Sequence, residues 1–198
     1  MRPDLVTTLT RFWAGSAAAI GAGYVVFRVG VFRFDRPEFQ CLTVGMLTAG
    51  IVTLLRSPRP RLAVVLAAAF ALFKLGLIRT EGWVPAASGL VLAGGILLSA
   101  WIFDLLARRG MPFGKFLVLG PLLGGVFFAV TPLARFHTLT ATGSMRVLLY
   151  NVLVGLVIGN GVGFGVELAE LVAGALRRPA PAEPDVAAED GRDAQRAG

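Results

Sequence analysis

Charged residues are scarce in this sequence of 198 residues. They make up 16% of the chain, whereas soluble domains carry about 25%. Lysine is almost absent, since Lys74 and Lys115 are the only two, and the net charge of +7 therefore comes almost entirely from arginine. Because the arginines lie between apolar runs rather than on one polar face, we do not expect the protein to bind nucleic acid.

Cysteine and histidine each occur once, as Cys41 and His137. A single cysteine within an apolar run excludes a disulfide framework and a cysteine-rich metal site in this chain. A single histidine excludes di-histidine haem ligation and the HExxH zinc motif. We therefore expect no metal ion and no cofactor. With no recognisable nucleophile or acidic-pair motif, an enzyme is less favoured than a non-catalytic protein.

Apolar residues dominate the sequence, at 56% of the chain with a mean hydropathy of +0.73. A helix needs about 20 apolar residues to cross a hydrocarbon core of about 30 Å. Six runs qualify, at residues 12–32, 38–55, 61–78, 83–106, 114–134 and 146–176. The pattern predicts an all-α, polytopic integral membrane protein, in which residues 1–178 form a six-transmembrane-helix bundle with short loops.

Two segments at the ends of the chain need separate interpretation. The first apolar run follows Arg2 and Arg11 as a signal peptide would, but it continues to Val31 without a polar cleavage region. A retained first helix is therefore favoured. Residues 179–198 are rich in Ala, Pro, Asp, Glu and Arg, with almost nothing to bury. We expect this C-terminal tail to be disordered.

The basic residues near the helix ends predict the orientation in the membrane. One side of the predicted bundle has the larger share of them: Arg2, Arg11, Arg56, Arg59, Arg61, Arg108, Arg109, Lys115, Arg177 and Arg178. The other side has fewer basic residues, and Asp35, Glu38 and Glu81 partly offset their charge. We expect the first side to be cytoplasmic, with both termini inside, in the plasma (bacterial inner) membrane.

The stretch GNGVGFG, at residues 159–165, contains several closely spaced glycines. Counted from Gly161, the third glycine of a dinucleotide-binding fingerprint is replaced by Val166, which excludes that interpretation. Glycines four residues apart are typical of helices that pack closely in membranes. The predicted seam consists of Gly155, Gly159 and Gly163, and a possible counterpart on the first helix consists of Ala14, Ala18 and Ala22.

Polar side chains interrupt the last apolar run near its cytoplasmic end. Asn160 and Glu167 lie on one helical face, with Glu170 beside them. Together with residues near the end of the fourth run they predict a polar cluster of Asp104, Glu167, Glu170, Arg108 and Arg109. Two interpretations stay open: ion pairs between these carboxylates and nearby arginines, or a functional polar site or partner-contact surface.

A second polar group is expected near the outer surface, where Arg28, Lys74 and Asn151 fall near helix ends. Long basic side chains at such positions often extend to the membrane surface without binding anything. The alternative is a pocket for an anionic ligand such as a carboxylate, a phosphate or a lipid head group. In that case Asn160 and Glu167 are further candidates for ligand binding.

The six predicted helices and the spacing of Ala14, Ala18 and Ala22 resemble the substrate-binding subunits of energy-coupling-factor vitamin transporters. That resemblance implies that the alanine seam contacts a partner subunit. The first hypothesis is accordingly a small-solute transport or substrate-binding subunit that acts in the lipid bilayer with partner membrane proteins, or as a homo-oligomer. The alternatives are a non-catalytic assembly or scaffold subunit and an integral-membrane lipid-modifying enzyme.

Overall fold

The structure is a computed structural model, and it describes residues 3–29, 37–76, 83–109, 116–135 and 141–176. Over these residues the chain forms six α-helices and no strand, which confirms the all-helical part of the predicted fold. The helices are α1 (Pro3–Tyr24), α2 (Pro37–Leu55), α3 (Arg61–Gly76), α4 (Trp83–Arg108), α5 (Phe116–Arg135) and α6 (Ala141–Leu176), and Val25–Val29 continues α1 as a π-helical segment. The predicted tail, residues 179–198, lies outside the described residues.

Helix α1 begins earlier than the first predicted apolar run, at Pro3 instead of residue 12. Its first turns contain Asp and Thr residues that lower the local hydropathy, so an apolar-run criterion does not detect them. Proline suits the first position of a helix because the amide hydrogen that it lacks has no helical partner there. The Thr10 hydroxyl donates to the carbonyl oxygen of Val6 at 2.9 Å, which satisfies this polar group within the helix.

The turn between α2 and α3 reverses the chain within a few residues. The Ser57 hydroxyl donates to the Leu54 carbonyl oxygen at 2.7 Å and accepts from the Arg59 amide at 3.1 Å. The carbonyl oxygen of Pro60 then accepts from the Ala63 amide at 3.0 Å as α3 begins. The side chain of Ser57 thus satisfies backbone groups that the end of a helix leaves without partners.

The helices form a closed ring in chain order, because each helix contacts the next one and α6 contacts α1. Helix α2 also contacts α4 and α6 across the ring, so it occupies the most central position. Almost every residue from Val44 to Thr53 is buried. A helix that is apolar on all sides is typical of such a central position.

Helix α3, unlike α2, lies at the periphery of the bundle and has its large apolar side chains on the outer surface. Its buried residues are the small Ala63 and Ala67. More than half of the surface of Val64, Val65, Leu72 and Phe73 is exposed. In a water-soluble domain the large apolar residues of a helix usually face the core. The outer face of α3 therefore has the composition of a surface that contacts an apolar environment.

Two helical stretches are long and apolar enough to cross a membrane, judged by length and composition over the described residues. They are Ala87–Arg108 in α4 and Met145–Ala175 in α6, with mean hydropathies of 2.1 and 1.9. Cys41–Leu55 and Leu117–Thr131 are apolar but shorter. These helices lend weak support to a membrane location, and the six-span arrangement is not confirmed by them.

Helix α6 approaches α5 closely through the first of two pairs of glycines. A methyl group added at Gly155 would lie 2.6 Å from the carbonyl oxygen of Leu123, and one at Gly159 would lie 2.5 Å from that of Leu119. These atoms belong to the backbone of α5, so they cannot move aside without a shift of the helix. Glycine is required here because the two backbones are in contact.

A second pair of glycines brings α6 equally close to α1. A methyl group at Gly161 would lie 2.6 Å from the Cα atom of Ala19, and one at Gly165 would contact the backbone of Ala14. Gly161 follows Gly159 by two residues, which turns it about 200° around the helix. For this reason Gly155 and Gly159 face α5, whereas Gly161 and Gly165 face the alanine stretch of α1.

The glycine contacts predict a difference between two alanine substitutions. Gly155→Ala should lower the free energy of unfolding by about 1–3 kcal/mol, because the added methyl group overlaps the α5 backbone. Gly125→Ala should be neutral or stabilising by up to about 1 kcal/mol, since its methyl group meets no neighbour within 4 Å and alanine favours a helix. Denaturant unfolding in detergent would measure both. Equal effects of the two substitutions would contradict the close approach of α5 and α6.

Candidate functional site at the charged end of the bundle

Charged side chains from three helices, α1, α4 and α6, meet the side chain of Arg56 at one end of the bundle. We call Arg11, Arg56, Asp104, Arg108 and Glu170 the charged cluster. Arg56 directly follows the central helix, and 8% of its side chain is exposed. Its Nη1 donates to Glu170 Oε1 at 2.8 Å, and its Nε lies 3.5 Å from Asp104 Oδ1. Arg56 therefore joins the ends of α2, α4 and α6.

Two further features surround the Arg56 guanidinium. Its Cζ atom lies 4.8 Å from the centre of the Phe103 ring, in a cation–π arrangement. Its Nη2 atom is buried and has no hydrogen-bond partner in the described part of the chain. A buried guanidinium nitrogen without an acceptor is energetically unfavourable. The cluster thus retains an unused donor.

Asp104 receives a second arginine from its own helix. Arg108 Nε donates to Asp104 Oδ2 at 2.8 Å, across one turn of α4. The Asp104 side chain is 11% exposed, whereas that of Arg108 is 68% exposed. Asp104 is therefore an almost buried anion between two cations, and Arg108 contacts it through its Nε atom.

Arg11 enters the cluster from α1, with its Nε 3.3 Å from Glu170 Oε1. The sequence pattern alone does not identify Arg11 as a partner of Glu170. The signal that identifies it is the packing of Gly15 against Val166. Because α1 and α6 are antiparallel, the residue one turn before Gly15 lies opposite the residue one turn after Val166. Those residues are Arg11 and Glu170.

The charged cluster and Ala107 line an open cavity of about 280 Å³, which we call the charged cavity. Among the described residues of this wall, three arginines and two carboxylates give a formal charge of +1 (3 − 2). Each guanidinium has several donors and no acceptor. Since two carboxylates cannot accept from all of them, the cavity suits an anion better than a cation.

The other members of the predicted polar cluster lie close by in the chain. Glu167 is half-buried in α6, one turn before Glu170, and the ion pairs with Arg11 and Arg56 are made by Glu170. Arg109 is exposed at the end of α4. Over the described residues, no group of three or more His, Cys, Asp or Glu residues could hold a metal ion.

The structure does not bring Lys74 and Asn151 of the predicted outer pocket to one helix interface. The aliphatic part of the Lys74 side chain, in α3, packs on Gly89 of α4. A methyl group added at Gly89 would lie 2.6 Å from the Cβ atom of Lys74. The Asn151 amide nitrogen donates to Thr131 Oγ1 at 3.1 Å, between α6 and α5. The side chain of Arg28, the third candidate, lies outside the described residues.

The remaining sequence candidates lie within helix interfaces. Asn160 covers Gly120, so its amide occupies space between α5 and α6. Its Oδ1 is buried and accepts no hydrogen bond from the residues that the structure describes. Gly163 is buried, and so are Ser16 and Ala19 of α1. Ala14 and Ala18 contact Gly165 and Gly161 within the bundle, and Ala22 packs against the core.

Comparisons of this chain with protein-family models, with curated proteins and with solved structures find no match. Its function is accordingly argued from the charged cavity and from the surfaces of the bundle.

The two arginines that contact Asp104 should differ in their contribution to stability, because one ion pair is buried and the other is exposed. Arg56→Gln leaves Asp104 and Glu170 without their buried partner and should lower the free energy of unfolding by about 3–5 kcal/mol. Arg108→Gln removes an exposed cation and should lower it by less than about 1 kcal/mol. Chemical denaturation in detergent would measure both values.

A variant without the most buried ion pair serves as the control for this experiment. Arg56→Met combined with Asp104→Asn removes both buried charges together and leaves Glu170 with Arg11, so it should recover part of the stability lost in Arg56→Gln. If Arg56→Gln were as stable as the unchanged protein, Arg56 would not be the residue that joins the three helix ends.

Proposed function

We propose that this chain is an integral membrane protein with all six helices in the bilayer. The observation that carries this proposal is the reversed distribution of side-chain size on α3, which buries alanines and exposes Leu72 and Phe73. Monomeric water-soluble proteins rarely expose large contiguous apolar patches. Lipid tails would cover such side chains without loss of free energy, since the tails are as apolar as leucine.

The charged end of the bundle is proposed to face the cytoplasm. The turn between α2 and α3 carries Arg56 and Arg59 at this end, and α4 ends here at Arg108, which Arg109 follows. Arginine and lysine in short loops are retained on the cytoplasmic side. Both termini would then be cytoplasmic, in the plasma (bacterial inner) membrane.

Single-cysteine labelling tests the proposed orientation. In a Cys41→Ala background, Met145→Cys should react with a membrane-impermeant maleimide in spheroplasts. Pro58→Cys should react only after the membrane is permeabilised, because it lies in the exposed turn at the charged end. The reverse pattern would overturn the orientation. Recovery of the protein in the soluble fraction would overturn the membrane placement itself.

For the biochemical role, we propose a small-solute transport or substrate-binding subunit that acts with partner membrane proteins. The charged cavity carries this proposal. Ionisable residues within membrane-spanning helices usually face protein or a water-filled cavity and serve a function there. Asp104 and Arg56 are nearly buried, yet they line a cavity that opens to the surface. The cavity offers a bound solute both charge and access.

The alternative role, a non-catalytic assembly subunit, is favoured by a different observation. An apolar groove of about 370 Å³ runs between α4 and α5. Gly94 and Gly125 form part of it, and a side chain added at either glycine would meet nothing within 4 Å. Small residues on an open helix face allow a second helix to approach closely.

Purification of the full chain from native membranes in mild detergent distinguishes the two roles. A transport subunit should co-purify with an ATPase pair, and this complex should persist when Gly94→Leu and Gly125→Leu fill the groove. An assembly subunit should lose most of its larger complex on the same change. Gly21→Leu is the matched control, because Gly21 is also an open helical glycine but lies on α1. Loss of the complex in the groove variant alone would favour assembly over transport.

A further inference from the structure

The charged cavity has an apolar neighbour of similar size. A second cavity, of about 300 Å³, is lined by Leu55, Pro60, Trp101, Asp104, Leu105 and Arg108. We call it the apolar cavity. Asp104 and Arg108 belong to both walls, so the two cavities meet at this ion pair. A ligand that spans them needs an anionic part and an apolar part next to each other.

The donors of the charged cavity indicate the chemistry of the anionic part. Arg56 Nη2 is buried without an acceptor among the described residues, and the hydrogen bond that Arg108 donates to Asp104 uses its Nε atom. The Arg108 side chain is 68% exposed, so it can rotate toward a ligand while Asp104 keeps Arg56 as a partner. Guanidinium groups bind phosphate through paired, charge-assisted hydrogen bonds.

The walls of the apolar cavity indicate the other part of the ligand. More than half of the surface of Trp101 is exposed, and Leu105, one turn further along α4, is partly exposed on the same helix. Tryptophan is enriched at the level of lipid head groups. An inorganic phosphate ion would leave this apolar surface uncovered, whereas the glycerol and acyl part of a phospholipid would cover it.

We propose that the charged cavity binds the phosphate group of an anionic phospholipid, and that the lipid's glycerol and acyl part lies in the apolar cavity. This proposal rests on the membrane placement proposed above, in which the charged cluster lies at the depth of the cytoplasmic head groups. It assigns an anionic lipid to the cavity that the proposed transport role gives to a small solute, so the lipid would be the molecule that the cavity binds. Basic pockets between helices on the cytoplasmic side bind anionic lipids in this way. The bound phosphate would accept from the arginine donors that Asp104 and Glu170 leave unused.

The test uses the full-length protein, purified and reconstituted in nanodiscs of phosphatidylcholine containing phosphatidylglycerol. Native mass spectrometry after transfer to detergent counts the retained lipids. The unchanged protein should retain phosphatidylglycerol in preference to phosphatidylcholine. Arg108→Gln should weaken this retention by about tenfold, because it removes one charge-assisted contact. Arg109→Gln is the matched control, since Arg109 is an exposed neighbour with the same charge and lines neither cavity.

Each outcome decides the proposal. A loss in Arg108→Gln but not in Arg109→Gln supports it. Equal losses in both variants would indicate a general attraction to anionic lipid and overturn the specific site. Absence of any preference for phosphatidylglycerol also overturns it.

A second measurement separates the two sources of phosphate. Inorganic phosphate is added to the detergent-solubilised protein, and the thermal unfolding temperature is followed. Stabilisation by inorganic phosphate without retention of phosphatidylglycerol would keep the phosphate chemistry and overturn the lipid as its source. The cysteine-labelling experiment reports membrane placement without reference to any ligand. A correctly inserted protein that retains no anionic lipid would therefore contradict this inference alone.

Discussion

The buried guanidinium of Arg56 constrains the arrangement of the whole bundle. It follows the most central helix, and a cation with 8% of its side chain exposed is stable only where anions surround it. Asp104 and Glu170 supply them from α4 and α6. Asp104 and Glu170 must therefore lie at the level at which α2 ends, which fixes how far α4 and α6 can slide along their neighbours. Apolar packing alone does not impose this restriction, because it is non-directional.

The glycines of α6 set the second constraint, which acts across the helices rather than along them. Gly159 holds α6 against α5, and Gly161, on the opposite face, holds it against α1. Other positions of α6 carry larger polar side chains. Asn160 covers Gly120, and Glu170 extends to Arg11 and Arg56. A single helix thereby combines close backbone contact in its middle with ion pairing at one end.

The sequence predicts where the helices lie in the chain far better than it predicts which helices pack against each other. Prolines and arginines in RSPRPR, residues 56–61, mark the break between α2 and α3 because proline cannot continue a helix there. The spacing of small residues identifies α6 as a packing helix, but it does not tell which helix each glycine contacts. That choice depends on the 200° rotation between Gly159 and Gly161 and on the order of helices in the ring. For the same reason Arg11 could be recognised only once Gly15 was seen against Val166.

The charged cluster combines a buried ion pair with an exposed arginine, and the proposed structural and binding roles fall on these two parts. Arg56 and Asp104 are nearly inaccessible, so their ion pair contributes mainly to the alignment of helix ends. Arg108 is mostly exposed and is held by one hydrogen bond to Asp104, so it can change partners at little energetic cost. Asp104 would remain paired with Arg56 when Arg108 turns to an anion. The buried pair would thus allow the exposed arginine to bind the proposed ligand without leaving an isolated charge in the interior of the bundle.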